Sequence, residues 1–251
     1  MKKFTGKIFA GVFTAAIMAS AAFVTVGAAD YSANPDYGKP AAPAVEVKKD
    51  DVATAVAAAK DNADVKVVEI KVEDDKGAKL SKDVVTEIKG STKPVAFKND
   101  EYTVTIDPKK VTDKVPENID LSMGVTPVAE ETKLAKDVTV PAGAVMVVPA
   151  AKGDFGMTVQ VTVPANGIDK TKAKLYYVAD DGKVTEVKDA LKFEGDNAVI
   201  TISHASSYVI SEEAVKGKEG SPDTGVTLPI ALVALAGGSV AVSAIAAKKR
   251  K

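Results

Sequence analysis

Polar and apolar residues alternate with a period of two through MTVQVTV. Met157, Val159, Val161 and Val163 fall on one side, and Thr158, Gln160 and Thr162 on the other. That pattern predicts a half-buried strand with one wetted face. EYTVTI places Tyr102, Val104 and Ile106 together, and NAVITI does the same for Ala198, Ile200 and Ile202. VKVVEIKV, VTVPAGAVMVVPA, AKLYYV and SYVI are likewise rich in β-branched and aromatic residues. Turn residues sit between these runs: Lys98-Asn99-Asp100, Asp181-Gly182 and Gly195-Asp196-Asn197 each stand where a hairpin would close. Many short strands separated by turns predict a mainly β chain with an antiparallel, β-sandwich-like core.

Two segments change period. Asp51 to Lys60 brings Val52, Ala55, Val56 and Ala59 onto one helical face, with Asp50 or Asp51 available as a cap. Ser81 to Lys89 offers Ser81 as N-cap, Asp83 in the first turn, Val84, Val85 and Ile88 on one face, and Lys89 near the negative end. Gly90 then suits a left-handed stop. One or two short helices therefore pack beside the β core. No fixed period repeats along the chain, which disfavours a solenoid.

The two ends have a different character. Lys2, Lys3 and Lys7 precede an uncharged run from Ile8 to Val26, followed by Gly27, Ala28, Ala29 and the polar Asp30. This order is that of a secretory signal peptide over 1–29, with Ala28 and Ala29 marking two alternative cleavage bonds. An uncleaved membrane anchor is the other reading of so long an apolar run. At the far end Val226 to Ala247 carries no charge. As a helix it would be about 33 Å long, enough for a hydrocarbon core of about 30 Å. Lys248, Lys249, Arg250 and Lys251 follow, where positive charge holds a segment end on the cytoplasmic side. The expected organisation is a signal helix at 1–29, a Pro/Ala-rich spacer at 30–49 and a β-rich extracellular domain at 50–212. A flexible linker at 213–220 and a terminal segment at 221–251, with its transmembrane helix at 226–247, complete it. The β-rich part divides alternatively into two packed sub-modules near residue 128.

Ser221-Pro222-Asp223-Thr224-Gly225, followed by the apolar span and the basic tail, resembles the sorting signal of Gram-positive cell-wall proteins, a Leu-Pro-any-Thr-Gly motif. Pro222, Thr224 and Gly225 match in place; Ser221 stands where the common signal has Leu. The resemblance implies that a sortase cysteine attacks the Thr224 carbonyl, releases Gly225 onward, and passes Thr224 to a peptidoglycan amine. The residue types suit that chemistry, since Pro222 fixes φ and bends the substrate. Gly225 leaves room beside the scissile carbonyl.

A second likeness lies inside the domain. GDFGMTVQVTVP, AKLYYVADDGKVTEV and ITISHASSYVIS, preceded by LSKDVVTEIKG and NDEYTVTIDPKKV, resemble a β-rich module common in exported proteins of clostridia-related bacteria. Val104 stands where that module often has tryptophan. The resemblance covers most of 50–211 and implies an exported β-rich module, with no catalytic or ligand residues to carry over.

Composition narrows the function further. There is no cysteine, hence no disulfide, thiol nucleophile or thiolate metal site. The formal net charge is −1, and Arg250 is the sole arginine, so the exported part has no guanidinium for phosphate clamps. Both facts speak against a nucleic-acid partner. His204 is the only histidine; with Ser203, Ser206 or Ser207 it evokes a hydrolase, but no nucleophile elbow or oxyanion loop accompanies it. It is expected to pack at a strand end with its nitrogens on backbone groups. Asp180-Asp181-Gly182 lacks the further ligands of a calcium loop and reads as a turn. Sugar platforms use aromatic faces, and this chain has no tryptophan. Tyr176 and Tyr177 point to opposite faces of one strand, so one of them is the candidate ligand-binding surface if the sheet is solvated there. The lysine-rich alternation places Lys66, Lys71, Lys172 and Lys174 on wet faces. No Lys–Asn isopeptide bond is therefore expected with Asn99, Asn118, Asn166 or Asn197.

Taken together, the sequence predicts a non-enzymatic surface protein without cofactor or metal, secreted and anchored to the cell wall. Its expected partners are a sortase and peptidoglycan, with a glycan or protein ligand at the cell surface. The alternative is a membrane-anchored carbohydrate- or protein-binding subunit of a surface assembly.

Overall fold

The computed structural model describes residues 15–16, 43–73, 76–134 and 137–219. The chain is mainly β, as the alternation predicts, with two helices among the described residues. In chain order the elements are β1 (Ala15–Ala16), β2 (Ala44–Glu46), α1 (Lys49–Lys60), β3 (Val68–Lys71), β4 (Gly77–Ser81), α2 (Lys82–Lys89), β5 (Val95–Lys98), β6 (Thr103–Val111), β7 (Asn118–Asp120) and β8 (Met123–Pro127). There follow β9 (Thr132–Lys133), β10 (Thr139–Val140), β11 (Val145–Pro149), β12 (Gly153–Pro164), β13 (Lys174–Val178), β14 (Lys183–Val187), β15 (Leu191–Glu194), β16 (Asn197–Ala205), β17 (Ser207–Ser211) and β18 (Lys218–Glu219). The expected signal helix lies outside the described residues except for β1, a two-residue strand parallel to Ile70–Lys71. The expected transmembrane helix lies outside them entirely. No helix among the described residues is long and apolar enough to cross a membrane.

A seven-stranded sheet runs β1-β3-β5-β6-β12-β16-β15, and a six-stranded sheet runs β18-β14-β13-β17-β11-β8. One apolar core joins them. Val104, Ile106, Val159, Val161, Ile200 and Ile202 come from the first sheet, and Val145, Val147, Leu175, Tyr208 and Ile210 from the second. The predicted alternation is borne out along β12, where the apolar positions are buried from Met157 to Val163 and Gln160 is exposed. Residues on both sides of position 128 enter this one core, and β6 pairs directly with β12, so 128 does not separate two cores. The three hairpin turns fall where the sequence puts them, between β5 and β6, β13 and β14, and β15 and β16.

At the front of the chain the pairing departs from the antiparallel pattern expected for the core. There β3 pairs parallel to β5, and β2 parallel to β4 in a third, three-stranded sheet with β7. Parallel neighbours require crossovers, and the two helices supply them. The unit β2-α1-β3 is followed by β4-α2-β5, each passing from the small sheet to the large one through a helix. The two units keep step: Ala44 pairs with Gly77, and the same spacing takes Lys49, the start of α1, to Lys82, the start of α2. It also takes Val47 to Leu80 and Val52 to Val85, all four buried. This structural repeat escapes a scan for fixed periods because it occurs only twice and the intervening loops differ.

The helix ends differ in detail from the sequence expectation. Ser81 caps α2 as predicted, its hydroxyl accepting from Val84 N at 3.4 Å. Lys48, not an aspartate, occupies the cap position of α1, with no side-chain bond; Asp50 and Asp51 lie inside the first turn, where they still favour the positive end. Gly90 is right-handed, with φ −75°, and ends α2 without a left-handed stop. At the other end of α1 the Lys93 ammonium donates to the carbonyls of Ala59 and Asn62, satisfying acceptors that the helix leaves open.

The second sheet is covered on both faces. Met146, Tyr176, Val178 and Val209 on its outer side pack with Val128, Leu134, Val138, Val140, Ala144 and Val215 in a second cluster. The β9–β10 hairpin forms part of that cover.

Candidate functional site

The motif SHASSY forms the corner at which the chain leaves one large sheet for the other. β16 ends at Ala205, Ser206 is the break, and β17 begins at Ser207 in the second sheet. Tyr208 Oη donates to the His204 carbonyl at 3.1 Å, and His204 Nδ1 lies 2.7 Å from Ser206 Oγ. A tyrosine hydroxyl bonded a few residues back across a corner is a device for fixing sheet-to-sheet connections. The half-buried His204 thus sits at a strand end as expected, but its nitrogen partner is a hydroxyl rather than a backbone group. Tyr208 is buried, and desolvation pushes its hydroxyl pKa well above the ordinary value.

GDFG is a second structural device. Asp154 Oδ1 accepts from Gly156 N at 2.6 Å, and the β12 ladder shifts register between Asp154 and Val159. Gly156 has φ +66°, and a Cβ there would stand 2.6 Å from the Lys114 carbonyl oxygen. Only glycine satisfies both conditions at this bulge.

The tyrosine pair occupies two apolar clusters. Tyr177 packs against the main core, its ring edge-on to Tyr208 at 5.9 Å. Tyr176 points the other way as predicted, but the sheet is not solvated there: Tyr176 is only 6% exposed, beneath the second cluster. The condition attached to a tyrosine binding surface is therefore unmet. Ala28, Ala29, and Ser221, Pro222, Asp223, Thr224 and Gly225 lie outside the described residues. Among the described residues no group of three or more His, Asp or Glu could hold a metal ion. Asp180 and Asp181 serve a turn, Asp181 Oδ1 accepting from Lys183 N at 3.0 Å and Asp180 pairing with Lys152 at 2.6 Å.

The stretch expected to be a flexible linker is docked as far as Glu219. Val215 is buried in the second cluster. Thr139 and Lys216 exchange two backbone hydrogen bonds, at 2.7 and 3.0 Å. Lys218 N donates to the Gly182 carbonyl at 3.0 Å, and β18 pairs parallel to β14. Composition alone, Lys-Gly-Lys-Glu-Gly-Ser, gave no sign of this, because the contacts are made by backbone.

β18 runs in the direction of β14, toward an open groove of about 310 Å³. Val187, Leu191 and Phe193 give the groove apolar surface, with the buried Leu175 beneath, and Lys170, Lys174, Glu186, Lys188 and Asp189 give it charge. Lys174 pairs with Glu186 at 2.9 Å, which raises the lysine pKa, and Lys170 lies 3.6 Å from Asp196. Lys188 and Asp189 are exposed. Asp189 has φ +61°, a conformation few non-glycine residues adopt. Beside the groove the Asp169 carboxylate accepts from Thr171 Oγ1 and N, at 2.7 and 2.9 Å, and these bonds with Lys172 hold its pKa down to about 2. The groove is not legible in the sequence; its residues come from two stretches, 170–175 and 186–193, and the one local sign is the Lys188-Asp189 turn.

Comparison with known proteins found no matching family model, no matching curated protein and no matching solved structure.

Proposed function

We propose that this chain is a non-enzymatic cell-surface protein whose β-sandwich-like domain is displayed on the cell wall. A sortase would join Thr224 covalently to peptidoglycan. The observation that carries this reading is the order at the C-terminal side. SPDTG, an uncharged span long enough to cross a bilayer and four basic residues follow a domain that itself follows a stretch with the charge and apolar order of a secretory leader. The domain's most motif-like stretches, GDFG and SHASSY, serve a bulge and a corner, which supports a structural or binding role over a catalytic one. Adhesion, envelope structure and interaction with a glycan or protein are the roles open to such a module.

Muramidase digestion of cells tests the anchor. The protein is expected in the released fraction, covalently joined to peptidoglycan fragments, and Thr224→Ala or Pro222→Ala should move it to the detergent-soluble membranes. Recovery of the unaltered protein only in those membranes, with its C-terminus intact, would replace this reading with that of a membrane-anchored binding subunit.

A further inference from the structure

The docked end of the domain and the groove beside it belong to one arrangement. Lys218 and Glu219 pair with Lys183 and Val184, and β14 then continues through Glu186 and Val187 into the groove-lining Lys188 and Asp189. The chain therefore leaves the fold heading toward the groove. Thr224 lies five residues beyond Glu219, and at about 3.3–3.6 Å per residue the chain reaches at most about 18 Å from the end of β18. From Val184 to Lys188 along a strand is about 13 Å. If Thr224 carries the wall linkage, the groove lies within reach of the peptide to which it is joined.

We propose that this groove binds the stem peptide of peptidoglycan, giving the domain a second, non-covalent hold on the wall beside the Thr224 linkage. The inference rests on the sortase reading for its occupant and on the structure for its site. The stem peptide is short, built of small aliphatic side chains, free carboxylates and amines. The groove offers matching chemistry: Val187 and Leu191 for methyl groups, the Lys188 ammonium for a carboxylate and the Asp189 carboxylate for an amine. Among the described residues the side chains of Lys188 and Asp189 have no ion-pair or hydrogen-bond partner, so neither must give up a protein contact to take one. An open groove with exposed charges binds weakly. The linkage removes that weakness, because a short tether holds its ligand at an effective concentration on the order of millimolar. A site with millimolar affinity, empty against free wall fragments, is then occupied in the anchored protein.

The test titrates the full chain, purified in detergent micelles and methyl-labelled at leucine and valine, with a soluble muramyl pentapeptide. The Val187 and Leu191 methyl signals should shift, with half-saturation at about millimolar peptide. Lys188→Glu should weaken the interaction about tenfold or more, the loss of one charge-assisted contact. Asp189→Asn, which keeps a residue tolerant of positive φ, should weaken it too. Lys66→Glu, on a distant wet face, should leave it unchanged. No shift with the pentapeptide, an equal shift with the peptide-free disaccharide, or an unaltered response of Lys188→Glu would overturn the proposal. The probe is free in solution, so the result does not depend on Thr224. A wall-linked protein that ignores the peptide would sink the groove alone. A peptide-binding protein recovered unprocessed from membranes would uphold the groove and sink the anchor.

Discussion

Ser122 is fully buried, and its hydroxyl has no hydrogen-bond partner among the described residues. It sits where the side chain of residue 77 would be, since a Cβ on Gly77 would come within 2.1 Å of Ser122 Oγ. The backbone of Ser122 is well used, its N–H donating to Asp120 Oδ1 and its carbonyl accepting from Ala150 N. An unpaired buried hydroxyl costs about 1–3 kcal/mol, so Ser122→Ala is expected to leave stability unchanged or raise it by up to about 1 kcal/mol. A loss of 2 kcal/mol or more in urea denaturation, to order of magnitude, would mean that the hydroxyl has a partner. Tyr102 shows the opposite case. Its hydroxyl donates to the Leu121 carbonyl at 3.2 Å and accepts from Met123 N at 3.1 Å, and burial raises its pKa from 10.0 to about 12. The folded state therefore holds a proton that the unfolded state loses above pH 10. This stabilisation is complete below pH 10 and declines as pH rises to 12, by about 1.4 kcal/mol per unit. The melting temperature should fall steeply over that window, and Tyr102→Phe should make the fall shallower. A stability that is flat from pH 10 to 12 would contradict it. Neither device was legible in the sequence. Ser122 and Tyr102 are ordinary strand-pattern residues there, and only the neighbouring segments decide whether a hydroxyl finds a partner.

At the scale of elements, two-faced strands such as β12 announce themselves, because one face meets water and the other the core. The helices did so as well, through the spacing of Val52, Val84, Val85 and Ile88. Parallel pairing was hidden, since it depends on where a crossover lands and not on the pattern of the strand. The burial of Tyr176 was hidden too; the cover comes from Leu134, Val138 and Val140, in a segment with little alternation of its own. The docked segment from Val215 to Glu219 is the largest departure from expectation. Gly217 is its keystone: a Cβ there would stand 2.5 Å from Val184 Cγ2 and 2.8 Å from the Gly182 carbonyl oxygen. Gly217→Ala should therefore push the segment off β14, at about 1–3 kcal/mol for the overpacked contact. Amide exchange reads the result directly. Lys216 and Lys218 should be protected in the natural protein and exchange rapidly in the variant, while the amides of β12 stay protected. Equal exchange at Lys216 in both proteins would show that this segment is not held by the contact at Gly217.

For the whole molecule, the question is whether a cysteine-free domain needs a covalent staple. A single core spans both large sheets and both helices, with a second cluster beyond, which is ample burial for a domain of this length. A lysine–asparagine crosslink requires the lysine to be desolvated enough to lose its charge, next to a buried asparagine and a carboxylate. No lysine among the described residues is buried; Lys71 and Lys174 are exposed on strands, where the alternation puts them, and Lys66 and Lys172 are exposed in the bend and turn before those strands. Asn118, Asn166 and Asn197 are exposed. Asn99 is buried, but its amide is engaged in holding the β5–β6 turn: Nδ2 donates to the Lys76 carbonyl at 2.8 Å, and Oδ1 accepts from the backbone of Glu101 and Tyr102. Attack on that amide would break all three bonds and expel ammonia from a turn on which the ladder depends. Intact-mass measurement on the denatured protein should therefore give the full calculated mass for its termini. A deficit of about one ammonia, or of one water for a lysine–aspartate link, would mean that some lysine is neutral and enclosed in the folded chain, and that the wet faces assigned here to the lysine-bearing strands are covered.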